Sequence, residues 1–428
     1  MMTRRLLRGA QVVDVVNGGV SRYDILVTGD RISEVVPPGS FSSDEDLETI
    51  DLDGCWVTPG LIDMHCHLAL ITGPTPPVSL FLDNGVTGIR DPGGPIAVQS
   101  AIRQSVAEGT LDGPKIWLSG EIFDGSPVVW PSASRAVDDP DAARAAVRDQ
   151  AARGADFVKV YNHITDEVLR AILDEAAKVG IPVVGHVPRS MGMPRAVRAG
   201  LRNLEHVRIA ARDFLPEEEA RVIDPLPVTE REPRLWSRLD VEAPWVDDLI
   251  AELVEHDITL DPTLLIDEVV FGDRSIDIDH PDNAFLPEYV RLAWEADSMV
   301  TSLVVDPESR RLYDTGRMRV RRFVEKCVAA GVRIVAGTDG VGLGRLLPGF
   351  AVHHELALLR EAGLSGTQAL AAATHQAAHA LGAEDLGEIA AGKRADLAVW
   401  RVDPTREHLR PEHLRLLLVD GVVRRSDD

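Results

Sequence analysis

Cysteine is scarce. Cys55, Cys66 and Cys327 are the only three in 428 residues, and they follow no recognisable spacing. Neither a disulfide framework nor a cysteine-ligated zinc site is suggested, and a reducing cytoplasm is the expected compartment. Long apolar runs are also missing. None reaches the ~18 residues that a membrane span needs, and the N-terminal MMTRRLLRGAQVVDVVNGG has basic residues without the apolar stretch of a signal peptide. Basic charge is in deficit, with Lys+Arg 45 against Asp+Glu 68 and a net charge of −23. That excess repels nucleic-acid phosphates and anionic membranes, so neither is expected as a partner. Internal repeats and low-complexity tracts are absent as well.

What is present is an alternation. Residues 5 to 58 read as short β-rich runs separated by Gly, Pro, Asp and Ser, and GEIAAGKRADLAVWRVD with HLRLLLVDGVVRR repeats that style at the other end. The chain is therefore expected to begin and finish in one small β-sandwich, residues 1–58 plus 387–428. Between them, 59–386 switches to apolar strands followed by Ala-rich helical patterns, as in βα units around a parallel sheet. Eight candidate strands, LIDMHCHL, VTGIRD, KIWLSGEI, DFVKVY, PVVGHV, NLEHV, ITLDPTLL and RIVAGTDG, match a (β/α)₈ TIM-type barrel better than an open sheet. Two long connections, near 208–246 and 267–316, break the alternation. Connections of that length often carry lids or binding loops, and the plainer alternative is a solvated decoration.

Chemistry is concentrated at the ends of those strands. On a strand, residues i and i+2 share a face, so His65 and His67 aim two imidazoles into one cavity while Cys66 points away. Lys159, His186, His206 and Asp339 stand at the ends of later strands, and in a TIM barrel such positions converge on one mouth. Imidazoles with a carboxylate suit Zn²⁺ first, and Mn²⁺, Fe²⁺ or Co²⁺ less firmly. Asp339 is the candidate catalytic residue, able to take a proton from an attacking, metal-activated water and pass it to the leaving amine. Tyr161, Arg189 and His354 are candidate substrate contacts, Arg189 as a bidentate holder of a carboxylate. Of the adjacent His353 and His354, one is expected to face the cavity and the other the helix surface; His163, His375 and His379 read as packing or cap residues, and Trp130, Trp236 and Trp245 as core or loop anchors, with the lining of an apolar pocket as the alternative.

The lead-in DLDGCWVTPGLIDMHCHL, the GADFVKVY strand, the pair GHV and LEHV, the segment AGTDG and the tail ATHQAAHALGAEDLGEIAAGKRADLAVW together resemble the amidohydrolase superfamily. The branch is the one similar to imidazolonepropionase-related and prolidase-like metal-dependent hydrolases. The resemblance implies that His65, His67 and Asp339 hold one zinc ion and His186 and His206 a second, with Lys159 bridging them as a carbamate formed with CO₂. An uncharged amine can add CO₂, and two cations stabilise the anionic product. The alternative is a plain Lys159 paired with an acid at a single-metal site. One departure stands out: where many prolidase-like relatives have a Gly/His-rich loop after the third strand, this chain reads EIFDGSPVVWPSAS.

The expected function is hydrolysis of an amide or peptide bond in a dipeptide, N-acyl amino acid or peptide tail. A second reading is the same centre acting on a cyclic amide, lactone, carbamate or heterocyclic C–N bond, because a fold and its metals fix reaction class more than substrate. A third is a non-catalytic, metal-stabilised binding protein. The expected partner is a small-molecule or peptide substrate, with a homo-oligomer suggested only by base rates.

Overall fold

The computed structural model describes residues 3–41, 47–70, 77–207, 209, 213–226, 228–271, 288, 307–340 and 346–426. Both chain ends enter one sheet. The N-terminal segment supplies β1 (Arg4–Val13), β2 (Val20–Thr28), β3 (Arg31–Val36), β4 (Glu48–Asp51) and β5 (Trp56–Pro59); the C-terminal segment supplies β16 (Leu397–Trp400), β17 (Leu414–Val419) and β18 (Val422–Ser426). The order is β18-β17-β16-β5-β1-β2-β3, with β4 beside β1. β1 pairs with β4 through Arg5–Arg8 and with β5 through Gln11–Val12, so one long strand serves both halves of the small β-sandwich. The β17–β18 hairpin turns on Asp420 and Gly421, both left-handed at φ 50° and 71°, as a two-residue Asp-Gly turn requires. A side chain at Gly421 would also strike the Gly29 carbonyl, 1.9 Å from an ideal Cβ.

The period-2 geometry of β16 explains how this sheet grips the barrel. Leu397 and Val399 pack with Leu7, Ile25 and Leu418 inside the sandwich, whereas Ala398 and Trp400 belong to the barrel core. The buried Trp400 indole donates to Thr58 Oγ1 at 3.0 Å, which satisfies its one polar atom.

The middle of the chain is a (β/α)₈ barrel. Its strands, among the described residues, are β6 (Leu61–Asp63), β7 (Val86–Asp91), β8 (Lys115–Leu118), β11 (Val158–Val160), β12 (Val183–Gly185), β13 (Asn203–Glu205), β14 (Thr259–Asp261) and β15 (Arg333–Ile334). All pair in parallel. Closure comes from Met64 N–H to Ala336 O at 2.9 Å, Thr338 N–H to His65 O at 3.1 Å and Asp156 N–H to Leu118 O at 2.8 Å. KIWLSGEI, expected as one strand, is two: Gly120 at φ 81° ends β8, and β9 (Ile122–Asp124) restarts to pair with β10 (Ser134–Ala136) and β11.

The helices follow local rules. Helix Asp166–Val179 starts where Thr165 accepts from the Val168 N–H and stops at Gly180, left-handed at φ 78°, with Val168, Leu169, Ile172 and Ala176 on its buried face. The connection near 208–246 is packed rather than a solvated decoration. It forms helices Glu217–Ile223 and Val228–Trp236, and it buries Leu235, Trp236 and Leu239 completely. Trp236 meets Phe323 edge-on, with ring centroids 5.9 Å apart. The connection near 267–316 lies largely outside the described residues. Among those described, no helix is long and apolar enough to cross a membrane.

Candidate metal centre

Charged residues inside a barrel need partners, because an unpaired buried charge costs several kcal/mol. Here they find one another. His65 and His67 follow β6, Lys159 is the middle residue of β11, His186 and His206 directly follow β12 and β13, and Asp339 lies just beyond β15. The His65 and His67 Nε2 atoms are 3.3 Å apart, and Asp339 Oδ1 lies 3.4 and 3.2 Å from them. His206 Nε2 is 3.9 Å from Asp339 Oδ2. The His186 ring stands edge-on to His206 at 4.5 Å and tilted over Tyr161 at 3.9 Å. Ligating atoms of His65, His206 and Asp339 all lie within 4.8 Å of one another.

The far side of each ring decides which nitrogen faces the centre. His206 Nδ1 lies 2.6 Å from Thr263 Oγ1, His186 Nδ1 lies 2.9 Å from Asn162 Oδ1, and His67 Nδ1 lies 3.3 Å from Gly93 O. Such tethers leave Nε2 as the donor toward a cation. His65 Nδ1 is buried with no hydrogen-bond partner, 3.8 Å from both the Glu205 and Asp261 carboxylates. Imidazoles with inward Nε2 atoms around a carboxylate fit a borderline divalent cation such as Zn²⁺.

Backbone strain marks the same place. His206, Thr263 and Asp339 are left-handed at φ 60°, 47° and 53°, and for the β-branched Thr263 this is a true outlier. Buried contacts hold them there. Asp339 N–H donates to His65 O and His206 N–H to Asp261 O, each at 2.8 Å. The buried Glu355 carboxylate accepts from Leu264 N–H at 2.9 Å and Leu265 N–H at 2.7 Å, fixing the turn that presents Thr263 to His206.

Beneath the histidines, around Lys159, runs a charged layer whose other members, Arg90, Glu205 and Asp261, sequence reading missed. Lys159 Nζ contacts Glu205 Oε2. Arg90 lies 2.9 Å from Glu205 Oε1 and 3.3 Å from Asp261 Oδ2, and it donates to Met64 O. The available signal was a charged residue within a short barrel strand, as in VTGIRD, NLEHV and TLDP, where each of these charges is buried. Burial pushes the Asp63 and Asp261 carboxyls up to about 7 and Asp91 up to about 6. Burial also works against a charged His67, yet its hydrogen bond to Asp339 reverses the sign and raises its pKa. Burial opposes ionisation of Asp339 too, but His67, His206 and Lys159 outweigh it and hold the carboxyl below its usual range. These neighbours therefore favour the carboxylate form of Asp339. Its side chain is 21% accessible against 1% for His65, which puts Asp339 at the mouth side of the cluster.

The substrate-contact candidates divide. Tyr161 lies at the centre, its ring on His186 and its hydroxyl 2.9 Å from the Trp130 indole nitrogen. Arg189 is half-buried, its backbone N–H on Asn162 O at 2.9 Å and its Nε buried without a hydrogen-bond partner among the described residues. His354 is elsewhere. Its ring lies 5.0 Å from His408 on the C-terminal segment, because adjacent helical residues point about 100° apart. On helix Phe350–Glu361 it is Glu355, one residue on, that turns toward the barrel. His163 and His375 pack against Pro127 O and Glu388, each at 2.9 Å.

The amidohydrolase family model matches residues 56–212 and 246–425. With this barrel and this ligand cluster, the chain belongs to the amidohydrolase family, and it is a hydrolase. A 5-methylthioadenosine/S-adenosylhomocysteine deaminase of Bacillus cereus is 26% identical over 404 residues, which is 90% of this chain and 82% of the relative. Among solved structures, a bottromycin amidohydrolase superposes with a TM-score of 0.73 at 25% identity, covering 98% of this chain and 87% of the other. A Xaa-Pro dipeptidase with methionine in its active site superposes with a TM-score of 0.69 at 22% identity, covering 99% and 100%, and shows the fold alone.

Proposed function

We propose that the protein hydrolyses an amide or peptide bond in a dipeptide, N-acyl amino acid or peptide tail. The observation that carries this reading is the convergence of His65, His67, His206 and Asp339 within 3.2–3.9 Å, with His186 and Lys159 at its border. His65, His67 and Asp339 would hold one divalent cation and His186 with His206 a second, zinc being the best match to the donors. Lys159 would help to hold both if its neutral amine added CO₂ to give a carbamate, the proton lost from nitrogen passing to solvent. When Lys159 turns away from Glu205, that carboxylate keeps Arg90 at 2.9 Å and is not left as an uncompensated charge. The ions supply Lewis-acid polarisation of the scissile carbonyl and lower the pKa of water.

The chain's own groups do the rest. Asp339, ionised and facing the mouth, takes the proton of the attacking water and delivers it to the departing amine. Tyr161, whose hydroxyl accepts the Trp130 indole N–H and whose ring lies on His186, stands where the substrate carbonyl oxygen would develop negative charge. Arg189, half-buried and tied by its backbone N–H to Asn162 beside His186, holds the substrate carboxylate.

Two observations favour narrower alternatives. The Lys159–Glu205 contact favours a plain lysine beside a single ion. The likeness to a deaminase favours cleavage of a heterocyclic C–N bond. Elemental analysis of the purified protein, with turnover of a panel of dipeptides, N-acyl amino acids, cyclic amides, lactones and aminopurine nucleosides, separates all three. Two ions per chain and cleavage of open-chain amides are expected. One ion per chain selects the plain lysine, and turnover confined to cyclic or heterocyclic members selects the second chemistry.

A further inference from the structure

The loop after β9 offers a feature that metal chemistry does not use. Trp130 is 46% exposed and Val129 beside it 39%, a large apolar pair at the rim. Solvent contact of that size around a tryptophan is costly unless something covers it. Its position is fixed rather than free. The indole N–H donates to Tyr161 Oη at 2.9 Å, and the Tyr161 ring lies 3.9 Å from the ring of His186, so Trp130 is one tyrosine away from a proposed ligand.

The loop that carries Trp130 is tied at several points. The buried Asp124 carboxylate accepts from Val129 N–H at 3.0 Å and from His163 N–H at 2.7 Å. Asp138 accepts from Ser126 N–H at 2.7 Å and Ser126 Oγ at 2.6 Å. The Trp130 carbonyl itself accepts from Ala133 and Ser134 N–H at 3.0 and 2.8 Å. A platform held this way loses little conformational entropy when a ligand settles on it. Its polar atom is already satisfied by Tyr161, and among the described residues no ring stacks on its face. What remains is hydrocarbon and π-surface, which prefers another flat ring in offset or edge contact.

We propose that Val129 and Trp130 wall a substrate subsite that takes an aromatic side chain or an aromatic acyl group, with Trp130 as its specificity-determining residue. This rests on the hydrolase reading above. Tyr161 couples the subsite to the centre: the residue that faces the scissile carbonyl is hydrogen-bonded to the residue that reads the aromatic group.

Four amides test it: N-acetyl-L-phenylalanine and N-acetyl-L-alanine, which differ on the amine side, and N-benzoylglycine and N-acetylglycine, which differ on the acyl side. The zinc-loaded protein should prefer the aromatic member of one pair by roughly 10- to 100-fold in kcat/KM. Trp130→Ala should abolish that preference by raising KM for the aromatic member, with kcat within about threefold. Trp130→Phe, which keeps a ring and loses the N–H, should retain the preference, as should Tyr161→Phe at reduced kcat. A merely structural Trp130 would slow all four amides alike in Trp130→Ala, and that result, or equal turnover of both pairs by the unaltered protein, overturns the subsite. Calorimetric titration of N-acetyl-L-phenylalanine and N-benzoylglycine into the Asp339→Asn protein, with and without Trp130→Ala, separates the two levels. Aromatic binding that depends on Trp130 without cleavage of any amide by the unaltered protein sinks the amide-hydrolysis reading and keeps the subsite. Cleavage without aromatic discrimination does the reverse.

Discussion

The two interiors of this molecule are built from opposite materials. The sandwich core is aliphatic, with Leu7, Ile25, Ile32, Val57, Leu397 and Leu418 buried almost completely. The upper interior of the barrel is filled with Asp63, Arg90, Lys159, Glu205 and Asp261, all at 2% exposure or less. Aliphatic packing is non-directional and tolerates change by small degrees, whereas a buried charge is tolerable only with its partners in place. The sandwich therefore holds the chain ends together, while the barrel top stores the cost of positioning groups for chemistry. β16 joins the two, one face in each core.

That contrast predicts separable effects. Asp339→Asn should lower kcat by about 10³-fold, the upper part of the range for loss of a proton-transfer group, while thermal unfolding stays within a few degrees of the parent. Stripping metal with a chelator should abolish turnover and lower the unfolding temperature, with both restored by Zn²⁺. A ligand present at 1,000 times its Kd stabilises by about 4 kcal/mol. Arg90→Met leaves Glu205 and Asp261 without their guanidinium and should cost about 3–5 kcal/mol in urea unfolding, together with most of the activity. Leu418→Ala should cost about 2–5 kcal/mol and leave kcat unchanged. If Leu418→Ala instead depressed kcat as strongly as Arg90→Met, the two regions would not be functionally separate.

The smallest effect lies at the seam. Burial, with His408 and His354 nearby, pushes His353 down to about 3, and its ring packs edge-on to Trp400 at 5.9 Å. A histidine held neutral in the fold but free to protonate near 6.5 when unfolded contributes stability that is full above pH 6.5 and declines as pH falls toward 3. The slope is at most about 1.4 kcal/mol per pH unit. His353→Phe should flatten urea stability between pH 7 and pH 5 relative to the parent, and an unchanged slope would assign the pH dependence to other groups.

Much of this was legible along the chain. All eight expected barrel strands are present, because each is announced by a short apolar run between helical periods and turn residues. The candidate site residues could be read in the same way: a histidine directly after a short strand, as in His186 after PVVG and His206 after NLE, falls at the strand end where barrel positions converge. His354 illustrates the limit. A helix has no intrinsic inside until something packs on it, and one residue of rotation separates His354 beside His408 from Glu355 beneath the helix that follows β14. Trp130 is a second case. A loop tryptophan reads as an anchor or as the wall of an apolar pocket, and only the position of Tyr161, 31 residues away, shows it standing at the rim of the centre.

The sequence by itself determined the alternation of strands and helices, the return of the chain end to its beginning, and the side-chain types that end the barrel strands. These depend on patterns within a few residues or on side-chain type. Tertiary structure alone decided which nitrogen of each histidine faces inward, that Glu205 and Arg90 share Lys159's layer, and which rim residue stands beside Tyr161. Those depend on atoms brought together by barrel closure from positions as far apart as Arg90 and Asp261, 171 residues along the chain. Local propensity carries no information about that distance.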